Sequence, residues 1–386
     1  MKGQQGYLTG RGKRLAIWAA VVAGMAPALA QSQAFEPRDH HESVSLTFDL
    51  SAVPADWRFR SQLAAHYTPG DIRGSRTAFV CRSAVDTALG ACATTPANLA
   101  EGPPSPVFLR FTEQRSKLQV DVGLLAARAV TVNGSTCRHR LTAFNSNRNF
   151  VSCAGRPYDV SRYLLTIPRT ELEKIPVGGI WRGRFEFDVR TVGSSGPSAV
   201  HSYDIELNVT DIQNAQIYFP TLSNTAPRVA MDLRKRPGPN FQPIVYGGRS
   251  VDMCFYDGFG SNSAGALRVR ATDLQDSQPG RPPGAGLMVL RGTPGHLPHQ
   301  RIEYRVGLTH AGTHRWLSVG DAGGGVFSPV AQSPIRIVRL PGIPTPVACS
   351  PATLTFEVTP FVEREKDAGG YEGRLRIETF VDAAKV

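Results

Sequence analysis

The sequence has 386 residues, enough for two domains with hydrophobic cores of their own. Glycine (38) and proline (29) are frequent and divide the chain into many short segments. With 43 Lys and Arg against 32 Asp and Glu, the formal net charge is +11. Such an excess favours an anionic partner, although it also serves solubility alone.

Residues 1–30 have the pattern of a cleavable secretory signal. A basic start is followed by the uncharged, apolar stretch Leu15 to Ala30, which ends in Ala-Leu-Ala. This stretch is shorter than the roughly 20 residues of a membrane helix, and polar residues follow it. Its removal takes away four cations and no acids, so the net charge falls from +11 to +7. For a soluble, exported, basic protein we expect a sialylated or sulfated glycan or a phospholipid headgroup as partner, and no nucleic acid.

Alternation of apolar and polar residues predicts β-strands along most of the chain. The clearest strand runs from Trp181 to Arg190, with aromatic residues on one face and charged residues on the other. The same alternation recurs in three further segments, 43–50, 107–111 and 302–308. One short helix is predicted at residues 170–173, which have capping-box spacing. Many short strands separated by turn signals predict β-sandwiches.

A domain boundary is predicted where the strand 203–210 ends and a new strand begins at Gln216. The predicted domains are an N-terminal domain of residues 31–211, a linker of residues 212–214 and a C-terminal domain of residues 215–386. A linker this short is expected to hold the two domains rigidly in line.

All six cysteines follow the signal segment, as expected for disulfides in an oxidising compartment. No Cys-x-x-Cys pair is present, which argues against a redox or zinc-binding role. Proximity in sequence favours three pairs, although six cysteines permit other connectivities. The favoured pairs are Cys81–Cys92, Cys137–Cys153 and Cys254–Cys349.

The sequence has no nucleophile elbow, zinc-protease helix or phosphate loop, so we predict no catalytic residue and no cofactor. Four histidines at 296, 299, 310 and 314 are a conceivable metal site. However, one strand separates the second from the third by about 30 Å, so no metal is predicted. His40 and His41 are expected to be disordered. A glycan hydrolase would need paired carboxylates, and Glu186 and Asp188 are the candidates, about 7 Å apart with no predicted cleft.

Several segments of the chain occur in the order in which one known family has them. They are Phe79 to Cys92, Leu109 to Ser116, Leu172 to Trp181, Gln216 to Pro220, Ser250 to Ser263, Ile343 to Cys349 and Ala368 to Gly373. In these segments the chain resembles the tip subunits of alternate chaperone–usher fimbriae, namely the colonization-factor tip adhesins and the cable-pilus minor subunit. The likeness spans residues 75–381.

The resemblance implies an all-β protein of two tandem immunoglobulin-like β-sandwiches and no enzyme. The N-terminal one would bind a host receptor, and the C-terminal one would be an incomplete pilin sandwich. A strand donated by the major pilin would complete it beside Leu375 and Ile377, because the chain ends too soon after them to supply a strand of its own. A periplasmic chaperone and an outer-membrane usher are the implied assembly partners.

The resemblance also implies where in the fimbria the protein lies and which residues bind the receptor. The N-terminus leads into the binding domain and offers no donor strand, so the protein is expected at the fimbrial tip on the surface of a Gram-negative cell. Related adhesins bind their receptor through clustered arginines. Arg76 stands where one of these is found, whereas Arg190 is near the others but out of register. Arg182 and Arg184 are alternative cations on the same outward face. A pilus initiator without receptor binding is the alternative function, and a secreted glycan hydrolase is the third.

Overall fold

The protein is described here from a computed structural model, which covers residues 33–381 except positions 151, 224 and 276–279. The predicted signal segment, residues 1–30, lies outside the described residues. Half of the residues are in strands and 8% are in helices, so the all-β prediction is confirmed.

The first half contains nine described strands and two single-turn helices. Their bounds are β1 His40–Asp49, β2 Trp57–Tyr67, α1 Ile72–Ser75, β3 Ala78–Cys81, β4 Ser105–Glu113, β5 Gln119–Thr131, β6 Arg140–Ala143, β7 Val160–Ile167, α2 Arg169–Leu172, β8 Gly179–Arg190 and β9 Ala199–Thr210. The strands form one sheet in the order β1-β9-β8-β4-β5-β7-β2, with β3 beside β8 and β6 beside β5.

This sheet folds over so that its apolar faces enclose one core. Strands β7 and β8 are not neighbours, yet the rings of Tyr163 and Phe187 lie 5.2 Å apart. Trp181, Phe185 and Phe187, which share the predicted apolar face of β8, are all completely buried. Burial of each such side chain contributes roughly 1.5–3 kcal/mol, so this face fixes the register of β8.

The N-terminal strand is ordered from its first histidine. β1 pairs in parallel with β9, from His40 opposite His201 to Asp49 opposite Thr210, and His41 Nδ1 lies 2.9 Å from Ser202 Oγ. The expectation that His40 and His41 are disordered is therefore wrong. The strand that orders them is some 160 residues away in sequence, so no local pattern marks the pairing.

The second half contains twelve described strands. Their bounds are β10 Gln216–Tyr218, β11 Arg234–Arg236, β12 Ile244–Tyr256, β13 Leu267–Asp273, β14 Gly286–Leu290, β15 Arg301–His310, β16 Thr313–Leu317, β17 Gly325–Phe327, β18 Arg336–Val338, β19 Val347–Val362, β20 Tyr371–Glu372 and β21 Leu375–Val381. One sheet has the order β10-β12-β19-β15-β14-β20, with β11, β16 and β18 beside β12, β15 and β19. The other sheet is β17-β13-β21, and side chains from both sheets form one core.

Short 3₁₀ turns connect several of these strands. They are Leu50–Ala52, Ile212–Asn214, Pro239–Phe241, Pro298–Gln300, Val330–Gln332 and Glu363–Glu365. The predicted helix at 170–173 is present as α2, but it begins at Arg169 after Pro168, which makes no side-chain capping bond. The capping box is thus not formed, and Glu171 instead accepts a 2.6 Å hydrogen bond from the Gly123 amide.

Three disulfides join the cysteines in the pairs that their spacing favours. They are Cys81–Cys92, Cys137–Cys153 and Cys254–Cys349. The last pair spans 95 residues of sequence and links β12 to β19, two neighbouring strands of the large second sheet.

The two halves pack directly against each other. Arg115, which follows β4, donates hydrogen bonds to three carbonyl oxygens of the second half, those of Ser261 (2.6 Å), Val330 (3.0 Å) and Ser333 (2.5 Å). The hydrophobic cluster of the first half also continues into residues 338–349 of the second. The 3₁₀ turn between the halves is therefore not their sole connection.

Candidate functional site

The segment that carries Arg76 is a tight turn between β2 and β3. Asp71 caps α1 by accepting a 2.8 Å hydrogen bond from the Arg73 amide, and this bond lowers the pKa of the Asp71 carboxyl. Gly74 lies so close to the start of β7 that no larger residue fits there: a Cβ at this position would lie 2.2 Å from the Asp159 carbonyl oxygen. Arg76 ends the turn, with its amide bonded to carbonyls of the helix.

Arg76 is half-buried, and its guanidinium has no carboxylate partner among the described residues. Its buried Nε–H has no acceptor within the described part of the chain. Arg73, three residues earlier in the same turn, is instead paired with Asp71 at 2.7 Å. Arg76 is thus a cation that no described carboxylate neutralises, and an oxyanion is the acceptor that suits its planar guanidinium.

Arg190 lies at the same end of the first half as Arg76. β3 pairs with β8 so that Ala78, two residues after Arg76, is directly opposite Arg190. The Arg190 guanidinium contacts Asp188 at 3.1 Å, but its buried Nε–H has no acceptor among the described residues. The register therefore brings Arg76 and Arg190 to one end of the neighbouring strands β3 and β8. The contact with Asp188 partly neutralises the charge of Arg190.

Arg182 and Arg184 lie further along β8 and are paired with carboxylates of the same sheet. Arg182 Nε lies 2.9 Å from Glu206, whereas Arg184 contacts Glu186 at 3.1 Å and Asp204 at 3.6 Å. Both arginines line a concave cavity of about 720 Å³ on the outer face of β1, β4, β8 and β9. Its charges are balanced by these internal ion pairs, so it has less attraction for an anion than Arg76 has.

The two carboxylates considered as the catalytic pair of a glycan hydrolase are surrounded by arginines. Glu186 and Asp188 are only 8% and 7% exposed, and Arg82 contacts both of them. Neither lines the cavity. A glycosidase needs one carboxyl protonated and both open to a sugar, and ion pairing with arginine opposes protonation. These two residues do not have that environment.

Two of the four histidines considered as metal ligands, His310 and His314, are held in separate hydrogen bonds, and His299 Nε2 lies 3.8 Å from Asp367. His310 is buried with its Nε2 at 2.8 Å from Ser350 Oγ, and His314 Nδ1 lies 2.9 Å from Thr309 Oγ1 across the β15–β16 hairpin. Within residues 33–381, outside the gaps, no three His, Cys, Asp or Glu side chains are grouped to hold a metal ion. The same part of the chain contains no helix that is long and apolar enough to cross a membrane.

The second half has an open sheet edge along β21. This strand pairs with β13 on one side, from Leu375 opposite Asp273 to Val381 opposite Leu267, and ends its sheet on the other. Its inward side chains, which include Ile377, are partly buried against the core of the second half. Among the described residues nothing pairs with the outer edge of β21, so its backbone groups are available to another strand.

Comparison with known proteins gives matches along nearly the whole chain. The family profiles of the first and second domains of CfaE, the CFA/I fimbrial E subunit, match residues 29–212 and 215–383. The chain is 27% identical to the CFA/I fimbrial E subunit of Escherichia coli over 314 residues, which are 80% of this chain and 81% of that protein.

Solved structures share the fold. The crystal structure of CfaE, the adhesive subunit of the CFA/I fimbria of enterotoxigenic Escherichia coli, matches with a TM-score of 0.76 and 24% identity. It covers 91% of this chain and 95% of its own. A chaperone–tip adhesin complex of CFA/I fimbriae matches with a TM-score of 0.67 and 23% identity, covering 91% and 98% of the two chains.

Proposed function

Because this chain belongs to the CfaE family of fimbrial proteins, we propose that it is the adhesive tip subunit of a chaperone–usher fimbria. Its first half binds a receptor on host cells, and its second half receives a strand from the next protein of the fimbria. The protein is exported through the periplasm to the bacterial surface. Its relatives are a fimbrial subunit and an adhesive subunit, so we propose no enzymatic activity for it.

The receptor is an anionic glycan that binds at Arg76. The observation that carries this proposal is the unpaired guanidinium of Arg76, whose buried Nε–H has no acceptor among the described residues. Arg190 supplies a second buried Nε–H without an acceptor at the same end of the sheet. Both Nε atoms are closed to solvent, so a sulfate or a sialic acid carboxylate would bond to the terminal nitrogens of these two half-buried guanidiniums. The charge of +7 on the chain without residues 1–30 attracts such a ligand.

The open edge of β21 is the proposed docking place of the donor strand. A strand added there would bond to the free backbone of β21 and cover Leu375 and Ile377, which are only partly buried. The donor is the N-terminal segment of the major pilin. A periplasmic chaperone fills the same edge before assembly, in line with the chaperone complex of the CFA/I tip adhesin, and an outer-membrane usher directs the exchange.

Replacement of Arg76 tests the receptor site. We expect Arg76→Ala to weaken binding to heparin or polysialic acid surfaces about tenfold or more, because a charge-assisted hydrogen bond contributes about 1.5–3 kcal/mol. Surface plasmon resonance on the folded protein measures this.

Arg73→Ala is the matched control, since it removes the same charge from the same turn, where Arg73 is already paired with Asp71. We expect less than a threefold loss for it. Equal losses for the two variants would contradict a specific role of Arg76, and Arg182 and Arg184 would then be replaced. A chain that binds no host surface but still assembles fimbriae would be a pilus initiator instead.

A further inference from the structure

A fully buried arginine lies inside the first half. Arg128 lies near the C-terminal end of β5, and its side chain is 0% exposed. Burial of a cation is costly unless acceptors surround it. No carboxylate contacts Arg128 in the described part of the chain, and its partners are all neutral oxygens.

Two of these oxygens belong to the residues on either side of Arg76. Arg128 Nε donates to the Thr77 carbonyl at 2.8 Å, and one terminal nitrogen donates to the Ser75 carbonyl. The same nitrogen donates to the Arg148 carbonyl at 3.1 Å. The planar guanidinium therefore fixes two carbonyls that flank one residue, which a flexible ammonium cannot do with the same geometry.

Arg128 also keeps its charge. Burial lowers its pKa to about 9, so the guanidinium stays protonated at neutral pH. Since no acid neutralises it among the described residues, its positive potential adds to that of Arg76.

We propose that Arg128 is a positioning residue, which holds the main chain on both sides of Arg76 and so sets the Arg76 guanidinium for an anionic ligand. This inference rests on the proposed role of Arg76. The role is separable from folding, because other contacts also hold the turn. Ser161 Oγ donates to the Thr77 carbonyl at 3.2 Å, and His66 Nδ1 lies 2.7 Å from Thr77 Oγ1.

The test uses Arg128→Lys in the full chain, which keeps a nitrogen donor at this position but loses the planar guanidinium. Inorganic sulfate is titrated into the protein, and the Nε–H signal of Arg76 is followed by NMR. We expect the sulfate affinity at Arg76 to fall at least fivefold and amide hydrogen exchange in residues 72–78 to rise. In the Arg76→Ala background, the residual sulfate affinity of the protein should change less than twofold on adding Arg128→Lys.

Arg162→Lys is the matched control, since Arg162 on neighbouring β7 donates to the Gln62 carbonyl at 3.2 Å and to none of the residues beside Arg76. It should leave the Arg76 titration unchanged. If an Arg128→Gln variant folds, its sulfate affinity at Arg76 should also fall at least fivefold.

Unchanged sulfate affinity in Arg128→Lys, with wild-type Arg76 binding sulfate, would overturn this inference alone. So would an equal loss in both backgrounds, because that would reflect general destabilisation. An Arg76 signal that does not respond to sulfate even in the wild-type protein would overturn the proposed role of Arg76 and this inference with it.

Discussion

Fusion of a donor strand to the end of the chain is expected to raise the melting temperature of the second half by about 10 °C or more. The donor would be the N-terminal segment of the major pilin, joined to Val386 through a flexible linker. It would cover the inward-facing apolar side chains of β21, including Leu375 and Ile377, which are only partly buried. Two or three buried donor side chains contribute roughly 1.5–3 kcal/mol each, which is large against the usual stability of a domain.

The control for the fusion carries Asp at the alternate apolar positions of the donor. It should give no stabilisation, because a carboxylate cannot enter the core. Calorimetry measures the melting temperature, and size-exclusion chromatography shows whether the fused protein is monomeric. If the unfused protein is monomeric and as stable as the fusion, the sandwich is complete and donor-strand assembly at β21 is wrong.

Loss of the Cys254–Cys349 disulfide is expected to be the most damaging covalent change. The pair closes 95 residues of chain, so the chain-entropy model gives a loss of about 4–5 kcal/mol and a fall in melting temperature of about 10 °C. Both cysteines are buried in the cluster that crosses between the two halves. Denaturant unfolding of the Cys254→Ala/Cys349→Ala double variant measures the effect.

The matched control removes the Cys137–Cys153 disulfide. That pair closes a much shorter segment and packs against a small satellite cluster around Tyr158, so its loss should cost less and stay local. A larger loss in the control would contradict the reasoning. Non-reducing peptide mapping of the wild-type protein checks the pairing first, and a peptide that joins Cys153 to Cys254 would refute both the pairing and the domain boundary.

Alternation along the chain was sufficient to predict the strands that have one buried and one exposed face, but not strands such as β3 and β11, which are uniformly buried or exposed. In β8, the four predicted apolar positions from Trp181 to Val189 are all buried. In β15, the apolar positions from Ile302 to Leu308 are buried as well. The parallel pairing of β1 with β9 was missed, since pairing between strands so far apart leaves no local signal.

The candidate site was less predictable, because it depends on contacts between distant segments. The ion pairs of Arg182 and Arg184 arise from carboxylates on β9 that the strand register brings opposite them. Arg128 follows two alanines in β5 and has the sequence pattern of an outward strand position. Its acceptors near Arg76 are some 50 residues earlier, so sequence alone did not indicate its burial.

We propose that the first half of this protein binds an anionic glycan through Arg76. The most direct measurement is a glycan array probed with the donor-strand-fused protein and with its Arg76→Ala variant. We predict that the fused protein binds sulfated or sialylated glycans, and that these signals disappear in the variant and after sulfatase or sialidase treatment of the array. Binding confined to neutral glycans, or anionic binding that Arg76→Ala leaves intact, would contradict the account.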